Sequence, residues 1–596
     1  MTLKRRAFLG TGAAAMGTLA APTVFAAGHG KPQVVVVGGG AGGATAARYI
    51  AKDSKGEVGV TLIEPTRQYY TCFFSNLYIG GFKEMGQLGH SYGGLAASGV
   101  NVVHDWATGV DRDSKTVALA GGGSVPYDKL ILSPGIDFVD GAVEGWDLSA
   151  QNAMPHAFKG GSQTELLKAQ LMAMPQGGTF AMVAPPNPYR CPPGPYERVS
   201  MVAHYLKANN PTAKIIIADP KAKFSKQALF EEGWADHYDG MIDWIGDDFG
   251  GGNVAVDADA MTLSIDGEVT NVDVCNVIPA MKAGHIAELA GVTDGNWAPV
   301  NAADMSSKAD ADIHVLGDAA QQGDMPKSGY SANSQAKVCA NAVRGALTGS
   351  KVFPAKFSNT CWSLIDTNNG VKVGATYEAT EEKIAKVDGF ISATGETAEL
   401  RKTTYEESEG WYTGITADMF GAYTETERAL ITRKALFDHI DQFSPWKGTD
   451  MRTFFWAGLA CLATFGAAQA QDTSVVYPFD GSFDDAAFSV ENAIIGEGLV
   501  IDYVSHTGEM LNRTAGDVGS DVKLFEAADI YVFCSAVVSR KMMEADPMNI
   551  AQCPYGIFVA ERAGEVMVGY RTYPDGPMQD VQSLLDDIAR EAVGLD

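Results

Sequence analysis

The sequence predicts an α/β protein with two doubly wound parallel sheets, followed by two smaller α+β parts. The first observation is a glycine-rich turn that separates a β-branched run from a helical pattern within residues 33–51. The second is two later strand patterns, Tyr127–Gly135 and Ile313–Ala319, which can extend the sheet begun by that run. The third is a buried strand at Thr179–Ala184, which begins a second sheet between them. At about 150 residues per domain, 596 residues allow about four domains.

Composition excludes several classes of protein. The chain is 46% hydrophobic and 20% charged, which excludes a collagenous, wholly disordered or multi-span membrane protein. It carries 45 Lys and Arg against 72 Asp and Glu, a net charge of −27. A nucleic-acid ligand is therefore not expected, because binding nucleic acid needs basic surface. Much of the acidity lies in residues 472–596, which hold 7 basic and 22 acidic residues.

The N-terminus predicts export. Lys4-Arg5-Arg6 precedes a Gly/Ala-rich apolar run that ends at Ala27, with the small-residue pattern Val24-Phe25-Ala26 before it. Paired arginines in this position are typical of a twin-arginine signal, and an ordinary secretory signal is the alternative. We therefore expect residues 1–27 to be removed and the mature protein to be periplasmic.

The first glycine turn predicts a dinucleotide site. Gly38, Gly40 and Gly43 follow the strand Gln33–Val37 in the spacing G-x-G-x-x-G. These glycines allow a tight turn and a close approach of backbone to a pyrophosphate at the helix N-terminus. Glu64 ends the next predicted strand about twenty residues on, where an acid can accept from ribose hydroxyls.

Two further segments resemble flavoproteins with two dinucleotide-binding-type, Rossmann-like domains. The strand and turn Tyr127–Gly135 is one, and the late strand ending in Gly317-Asp318 is the other; in those proteins the Asp lies near the ribityl and pyrophosphate part of FAD. The resemblance implies an FAD domain in two parts, residues 31–155 and 280–350.

The domain between them, residues 156–279, is predicted to lack a nicotinamide site. After its first strand the chain reads Pro185-Pro186-Asn187-Pro188-Tyr189-Arg190-Cys191-Pro192-Pro193. Proline lacks the backbone N–H groups that bind a pyrophosphate. Electrons must then reach the flavin from another donor.

Three of the eight cysteines are candidates for chemistry. Cys72 follows the ribose-acid strand, where it could form a thioether to the flavin ring or be a buried structural cysteine. Cys191 lies in the proline-rich loop and Cys361 in Asn359-Thr360-Cys361-Trp362. A redox disulfide between them, a structural disulfide and two free thiols are all compatible with the pattern.

These segments together resemble the flavoprotein subunit of flavocytochrome c sulfide dehydrogenase, among the sulfide:quinone reductase-like flavoproteins. The resemblance covers about residues 1–421 and implies covalent FAD on Cys72, a Cys191–Cys361 redox disulfide and a small flavin-binding domain over 351–421. Trp362 departs from the Tyr expected after the cysteine.

The resemblance also implies a reaction. Hydrosulfide would attack the disulfide, two electrons would pass to FAD, and the flavin would reduce a c-type cytochrome. Glu197 is the candidate proton acceptor, with a surface acid at a helix start as the alternative. No C-x-x-C-H occurs in the chain, so haem c is expected on a separate subunit. The ten histidines lack metal-ligand spacing, so no metal site is predicted.

Beyond residue 421 the sequence predicts a linker helix over 422–450 and a signal-like segment over 451–470. The apolar run 454–468 allows three interpretations: a second signal retained in a fusion, a membrane anchor, or a buried helix. A membrane anchor would favour a second function, sulfide:quinone oxidoreductase.

Residues 472–596 are predicted to form a separate small α+β domain that weakly resembles a bacterial domain of unknown function. Four strands and a closing helix, Met578–Val593, are expected there. Cys534 and Cys553 could form a disulfide or remain thiols. A third hypothesis makes this domain a non-catalytic docking or sulfur-binding module.

Overall fold

The computed structural model describes residues 30–421 and 474–595, except residues 498, 506 and 515–521. The predicted export signal, the linker helix and the signal-like segment that contains Cys461 therefore lie outside the described residues. Within the described ranges, no helix combines the length and apolar character that crossing a membrane requires.

Residues 30–421 contain 24 strands and nine α-helices among the described elements. The strands are β1 (Gln33–Val37), β2 (Gly59–Ile63), β3 (Gln68–Tyr70), β4 (Gly89–Ser91), β5 (Asn101–Val103), β6 (Ala107–Asp111), β7 (Thr116–Leu119), β8 (Ser124–Pro126), β9 (Lys129–Leu132), β10 (Ile136–Phe138), β11 (Thr179–Val183), β12 (Lys214–Ala218), β13 (Ile242–Ile245), β14 (Val254–Asp257), β15 (Thr262–Ile265), β16 (Glu268–Asn271), β17 (Val274–Val277), β18 (Met281–Ala283), β19 (Ala298–Pro299), β20 (Ile313–Val315), β21 (Ala320–Gln321), β22 (Lys356–Asp366), β23 (Asn369–Ala379) and β24 (Ile384–Ile391). The helices are α1 (Ala41–Asp53), α2 (Ser75–Gly80), α3 (Gly93–Ala97), α4 (Ser162–Ala173), α5 (Gly194–Asn209), α6 (Gln227–His237), α7 (His285–Leu289), α8 (Gly329–Thr348) and α9 (Ala398–Phe420).

The first sheet confirms the predicted doubly wound fold. Its five strands lie in the order β20-β9-β1-β2-β5, and every pair is parallel. The β-branched residues of β1 are buried, because helices such as α1 and α8 cover this part of the sheet. Since parallel strands end at one edge, the residues after β1, β2, β9 and β20 meet there.

The inserted domain repeats the architecture on a smaller scale. Its parallel strands lie in the order β13-β12-β11-β17, and a three-stranded antiparallel sheet, β14-β15-β16, is added beside them. The long helix α5 follows β11 and is buried along most of its length. The proline-rich loop that contains Cys191 joins these two elements.

The next part is an antiparallel sheet, β22-β23-β24, followed by the 23-residue helix α9. Strand β22 packs against α5 and α8, which places Cys361 between the first and second domains. Helix α9 returns to the first domain, where the Phe420 ring stacks on His90 at a centroid distance of 5.1 Å.

The C-terminal domain has the predicted α+β composition, with more elements than the sequence indicated. Its antiparallel sheet has the order β25-β29-β28-β27-β26, and one face is covered by two of its helices, α10 and α13. The elements are β25 (Ser474–Phe479), α10 (Phe483–Gly496), β26 (Val500–Ser505), α11 (Thr507–Thr514), β27 (Ala527–Cys534), α12 (Ala536–Ala545), β28 (Tyr555–Arg562), β29 (Glu565–Arg571) and α13 (Gln579–Val593).

Candidate active site

The glycine turn lies between β1 and α1 at the edge where the first sheet's strands end. Gly38 has φ +100°, and a Cβ built there would lie 2.3 Å from the carbonyl oxygen of Ser133. A Cβ on Gly43 would lie 1.9 Å from the carbonyl oxygen of Gly38. The backbone turns so tightly into α1 that neither position has room for a side chain, and only glycine fits there.

Glu64 holds this turn from the end of β2. One carboxylate oxygen accepts from the backbone N–H of Gly39 at 2.8 Å, and the other accepts from the N–H of Thr66 at 2.9 Å. Glu64 also lines the neighbouring cavity. The acid therefore fixes the glycine turn and faces the space in which a ribose would lie.

A cavity of about 550 Å³ opens over this edge. It is lined by residues from both doubly wound domains, including several residues singled out from the sequence: Gly38, Gly40, Glu64, Cys72, Cys191, Gly317 and Asp318. Gly43, Glu197 and Cys361 are not among the residues that line it. The volume lies within the range of ligand and cofactor sites.

The hydrogen bonding of Asp318 indicates that the cavity suits FAD. One of its carboxylate oxygens accepts from the Arg190 guanidinium at 3.4 Å, and the other is buried and has no hydrogen-bond partner among the described residues. A buried carboxylate oxygen without a donor is costly, so a hydroxyl donor is needed there. The ribityl chain of FAD carries such hydroxyls, and the glycine turn fits its pyrophosphate.

The proline-rich loop brings Cys191 to the cavity in a constrained backbone. Cys191 has φ +56°, and its N–H donates to the carbonyl of Lys327 at 2.6 Å. Its sulfur lies beside Gly194, the first residue of α5, where a Cβ would come within 2.8 Å of it. Loop β11–α5 thus presents a thiol to the site rather than a phosphate-binding glycine turn.

Cys361 lies on β22, where its charge acts on Cys191. Its sulfur lies 3.5 Å from the Asn359 amide nitrogen, and both Cys191 and Cys361 are free thiols in the structure. Burial raises the pKa of both thiols, and the charge of Cys361 further raises the pKa of Cys191. The tertiary fold therefore brings the two sulfurs into mutual electrostatic range, although 170 residues separate them in sequence.

Lys226, which sequence reasoning missed, supplies the positive charge beside these sulfurs. Its buried ammonium donates to the carbonyl of Cys361 at 3.0 Å and to the Ser363 hydroxyl at 2.9 Å. Burial lowers its pKa to about 8, while the anionic forms of Cys361 and Glu197 oppose that shift. No local motif marks Lys226, because it precedes an ordinary helix and reaches β22 only in the folded chain.

Glu197 lies in the first turn of α5 and is buried, so the surface alternative does not hold. Its carboxylate accepts from the Asn76 amide at 2.8 Å and from the N–H of Leu364 at 2.9 Å. Burial raises its pKa above the ordinary value, against the lowering effect of these two hydrogen bonds. Asn76, whose oxygen accepts from Arg198 at 3.0 Å, was also not singled out as a site residue from the sequence.

Cys72 also lines the cavity, just before α2, and its charge acts on Cys191. Its carbonyl accepts from the Ser75 hydroxyl at 2.5 Å, while its thiol is half-buried. The electrostatic influence of Cys72 on both Tyr69 and Arg190 places it close to them. Its reach into the cavity is compatible with a bond to a flavin ring.

The described ranges contain no cluster of three or more His, Cys, Asp or Glu side chains that could hold a metal ion.

Models of known families match most of the described chain. Residues 32–169 match a pyridine nucleotide-disulphide oxidoreductase model, and 164–279 match the central part of the sulfide dehydrogenase (flavocytochrome c) flavoprotein chain. Residues 354–420 match the flavin-binding part of flavocytochrome c sulphide dehydrogenase. Residues 475–591 match a domain of unknown function, DUF302.

Individual proteins agree with these matches. The sulfide dehydrogenase (flavocytochrome c) flavoprotein chain of Chlorobaculum thiosulfatiphilum is 51% identical over 47 residues, which are 8% of this chain and 96% of that sequence. The sulfide:quinone oxidoreductase of Aquifex aeolicus has a TM-score of 0.50 at 17% identity, over 70% of this chain and 96% of that one. A chain of the mitochondrial ATP synthase of Tetrahymena thermophila has a TM-score of 0.51 at 14% identity, over 68% and 99%. At these identities, the two solved structures show a shared fold.

Proposed function

The chain belongs to the flavocytochrome c sulfide dehydrogenase flavoprotein family, and we propose that it oxidises sulfide with FAD and passes the electrons to a c-type cytochrome. The family and the fold establish an FAD-type flavoprotein oxidoreductase. The acceptor, the disulfide chemistry, the covalent flavin and the cellular location belong to the proposal. The observation that carries it is the cavity, which joins a dinucleotide turn to Cys191, a thiol on which the charge of Cys361 acts.

The proposed chemistry begins with a disulfide between Cys191 and Cys361. Hydrosulfide attacks one sulfur, which forms a cysteine persulfide, breaks the S–S bond and leaves the other cysteine as a thiolate. When bound, FAD would supply the acceptor for two electrons from the reduced sulfur pair and would allow their onward transfer one at a time. A further hydrosulfide attacks the outer sulfur of the persulfide, which forms a hydrogen disulfide and leaves both cysteines reduced; loss of two electrons from this pair restores the disulfide.

The chain's own residues support each part of this reaction. Lys226 stabilises the thiolate by its charge, because its ammonium lies next to Cys361 in a site that excludes water. Glu197 accepts a proton from the incoming hydrogen sulfide, since its raised pKa brings the carboxylate closer to the pH of the reaction. The glycine turn, Glu64 and Asp318 hold the nucleotide and ribityl parts of the cofactor.

Replacement of Cys191 by Ser tests the sulfur chemistry. We expect sulfide-dependent flavin reduction to be abolished, while the flavin spectrum and its reduction by dithionite persist. Cys275→Ser is the matched control, because Cys275 is a fully buried cysteine in the neighbouring strand β17. Unchanged sulfide-dependent reduction in Cys191→Ser would refute the disulfide chemistry.

Acid denaturation tests the covalent flavin. We propose that Cys72 carries FAD as a thioether, which is supported by its place in the cavity lining. The flavin absorbance should then precipitate with wild-type protein and remain in solution after denaturation of Cys72→Ser. Flavin released from the wild-type protein would contradict the proposal.

We further propose that the protein is exported to the periplasm by its twin-arginine signal and binds a haem-bearing subunit there. Exchange of Arg5 and Arg6 for Lys should retain the protein in the cytoplasm. Haem that co-purifies with the exported protein on a second chain supports the cytochrome acceptor. Electron transfer to a quinone in the absence of any haem would favour the sulfide:quinone alternative.

A further inference from the structure

The C-terminal domain contains a second pair of cysteines that the flavin chemistry does not use. Cys534 ends β27 and Cys553 precedes β28, and their sulfur atoms are 3.0 Å apart. The strand register explains this contact. Phe533 is paired with Tyr555, so Cys534, which follows Phe533, and Cys553, which lies two residues before Tyr555, are side by side. Nineteen residues separate the two cysteines in sequence.

We propose that Cys534 and Cys553 form a dithiol–disulfide couple that exchanges with small thiols and hydrosulfide. Both side chains are half-buried, so a small sulfur nucleophile can reach them from solvent. The domain does not need the bond as a staple, because its sheet and helices bury a continuous apolar core of their own. A pair that is in contact and accessible is suited to exchange.

Partial positive charge and polar groups lie around this pair. Cys534 immediately precedes Ser535, the N-cap of the ten-residue helix α12, and a helix N-terminus carries partial positive charge. Arg571 donates to the carbonyl of Gln552, the residue before Cys553, and packs on the ring of Tyr573. The Ser539 hydroxyl lies 3.7 Å from the Cys553 sulfur.

The exchange balances without a further oxidant. A thiolate attacks the Cys553 sulfur, forms a mixed disulfide there and displaces the thiolate of Cys534, which lies at the helix N-terminus. A second thiolate attacks the outer sulfur and leaves Cys553 as a thiolate. Two thiols are oxidised to one low-molecular-weight disulfide, the protein disulfide is reduced to a dithiol, and the same disulfide drives the reverse reaction. With hydrosulfide, the first step leaves a persulfide on Cys553.

A glutathione titration of the full chain tests this. The protein is equilibrated at a series of reduced-to-oxidised glutathione ratios, quenched, alkylated and digested, and each cysteine peptide is quantified by mass spectrometry. We expect the Cys534 and Cys553 peptides to lose alkylation together and reversibly, with a midpoint inside the glutathione range. Hydrosulfide added to the oxidised protein should leave a persulfide on the Cys553 peptide.

Three outcomes would overturn the proposal. In the first, one cysteine is oxidised without the other. In the second, the bond persists until the protein is unfolded, which would make it structural. In the third, both thiols stay reduced at every ratio.

Arg571→Gln and Arg540→Gln form a matched pair for the rate of exchange. Both arginines are exposed, but Arg571 donates to the carbonyl of the residue before Cys553, whereas Arg540 pairs with Glu544 on α12. Exchange should slow several-fold in Arg571→Gln and be unchanged in Arg540→Gln. Equal rates in the two variants would contradict the proposed role of the local charge.

Discussion

The ammonium of Lys337, on α8, lies 2.9 Å from the carboxylate of Glu491, on α10 of the C-terminal domain. The same ammonium lies 3.0 Å from Asp418 on α9, and the hydroxyl of Tyr49 donates to Glu491 at 2.8 Å. Lys337 is buried, and its charge is compensated both by Asp418 of the flavoprotein part and by Glu491 of the C-terminal domain. The C-terminal domain is therefore docked on the flavoprotein through buried charge as well as through exposed pairs such as Lys356–Glu591.

We predict that Glu491→Gln destabilises the protein by about 1–3 kcal/mol, because the Lys337 ammonium keeps Asp418 and loses one of its two carboxylates. The free energy of unfolding from a denaturant titration measures this. Glu591→Gln is the control, since its partner Lys356 is more than half exposed and such pairs contribute about 0–1 kcal/mol. An equal effect of the two substitutions would contradict the buried docking.

Asp53→Asn should stabilise the protein at neutral pH. Burial raises the pKa of Asp53 from 3.8 to about 6, and the carboxylates of Asp484 and Glu491 add to this rise. The folded state therefore prefers the protonated form, and stability increases as pH falls from about 6 to 3.8. At pH 7 the neutral Asn should add about 1–3 kcal/mol, at 1.36 kcal/mol per pKa unit.

The advantage of Asp53→Asn should vanish below about pH 4, where the native carboxyl is protonated in both the folded and unfolded states. Thermal unfolding from pH 4 to 8 measures the difference. Asp294→Asn, at an exposed position within residues 280–350, is the control, and it should change the stability of the protein little. A stabilisation that is independent of pH would count against the raised pKa of this partly buried carboxyl as its cause.

Lys226→Met should slow sulfide-dependent flavin reduction by about tenfold, because one neighbouring charge shifts a thiol pKa by about one unit. The pKa of Lys226 is about 8, so the wild-type rate should fall above that pH as the ammonium loses its proton. Stopped-flow measurements from pH 6 to 10 would show this decline in the wild type and its absence in Lys226→Met. Lys223→Met, at an exposed position nearby, is the control.

Glu197→Gln should remove the acid limb of the pH profile. The raised pKa means that the wild-type rate increases with pH as the carboxylate forms, whereas Gln cannot accept a proton at any pH. The rate of flavin reduction by sulfide should fall roughly 100-fold, which is typical for loss of a general base. Glu165→Gln, at an exposed position on α4, is the control, and an acid limb that persists in Glu197→Gln would assign proton transfer elsewhere.

Gly43→Ala should impair FAD retention and destabilise the first domain by about 1–3 kcal/mol, the usual cost of overpacking. The added methyl would lie 1.9 Å from the Gly38 carbonyl oxygen, so α1 must move away from the turn. Gly109→Ala is the control, because nothing lies within 4 Å of a Cβ at that position. Flavin content per chain and thermal unfolding measure both effects, and equal flavin content would contradict the close-packed turn.

Local patterns in the sequence were sufficient for the first domain. The strand Gln33–Val37, the glycine turn and Glu64 occur within about thirty residues, and each depends on backbone sterics or hydrogen bonds with near neighbours. The prolines around Cys191 likewise excluded a phosphate-binding turn, because proline lacks the N–H group wherever it occurs. The flavoprotein fold and the family were therefore predicted before any long-range contact was known.

Tertiary structure alone decided which side chains act together. Lys226 and Cys361, Glu197 and Leu364, and Lys337 and Glu491 are separated by more than a hundred residues, and no local spacing connects their members. Burial also comes from the complete fold. It raises the pKa of Glu197, which the sequence shows only as an acid at a helix start, and it lowers the pKa of Lys226. The sequence by itself determined the sheet, the turn and the candidate sulfur atoms, because these depend on backbone geometry and residue type. The electrostatics of those sulfur atoms depends on charges that the chain brings to them only when it folds.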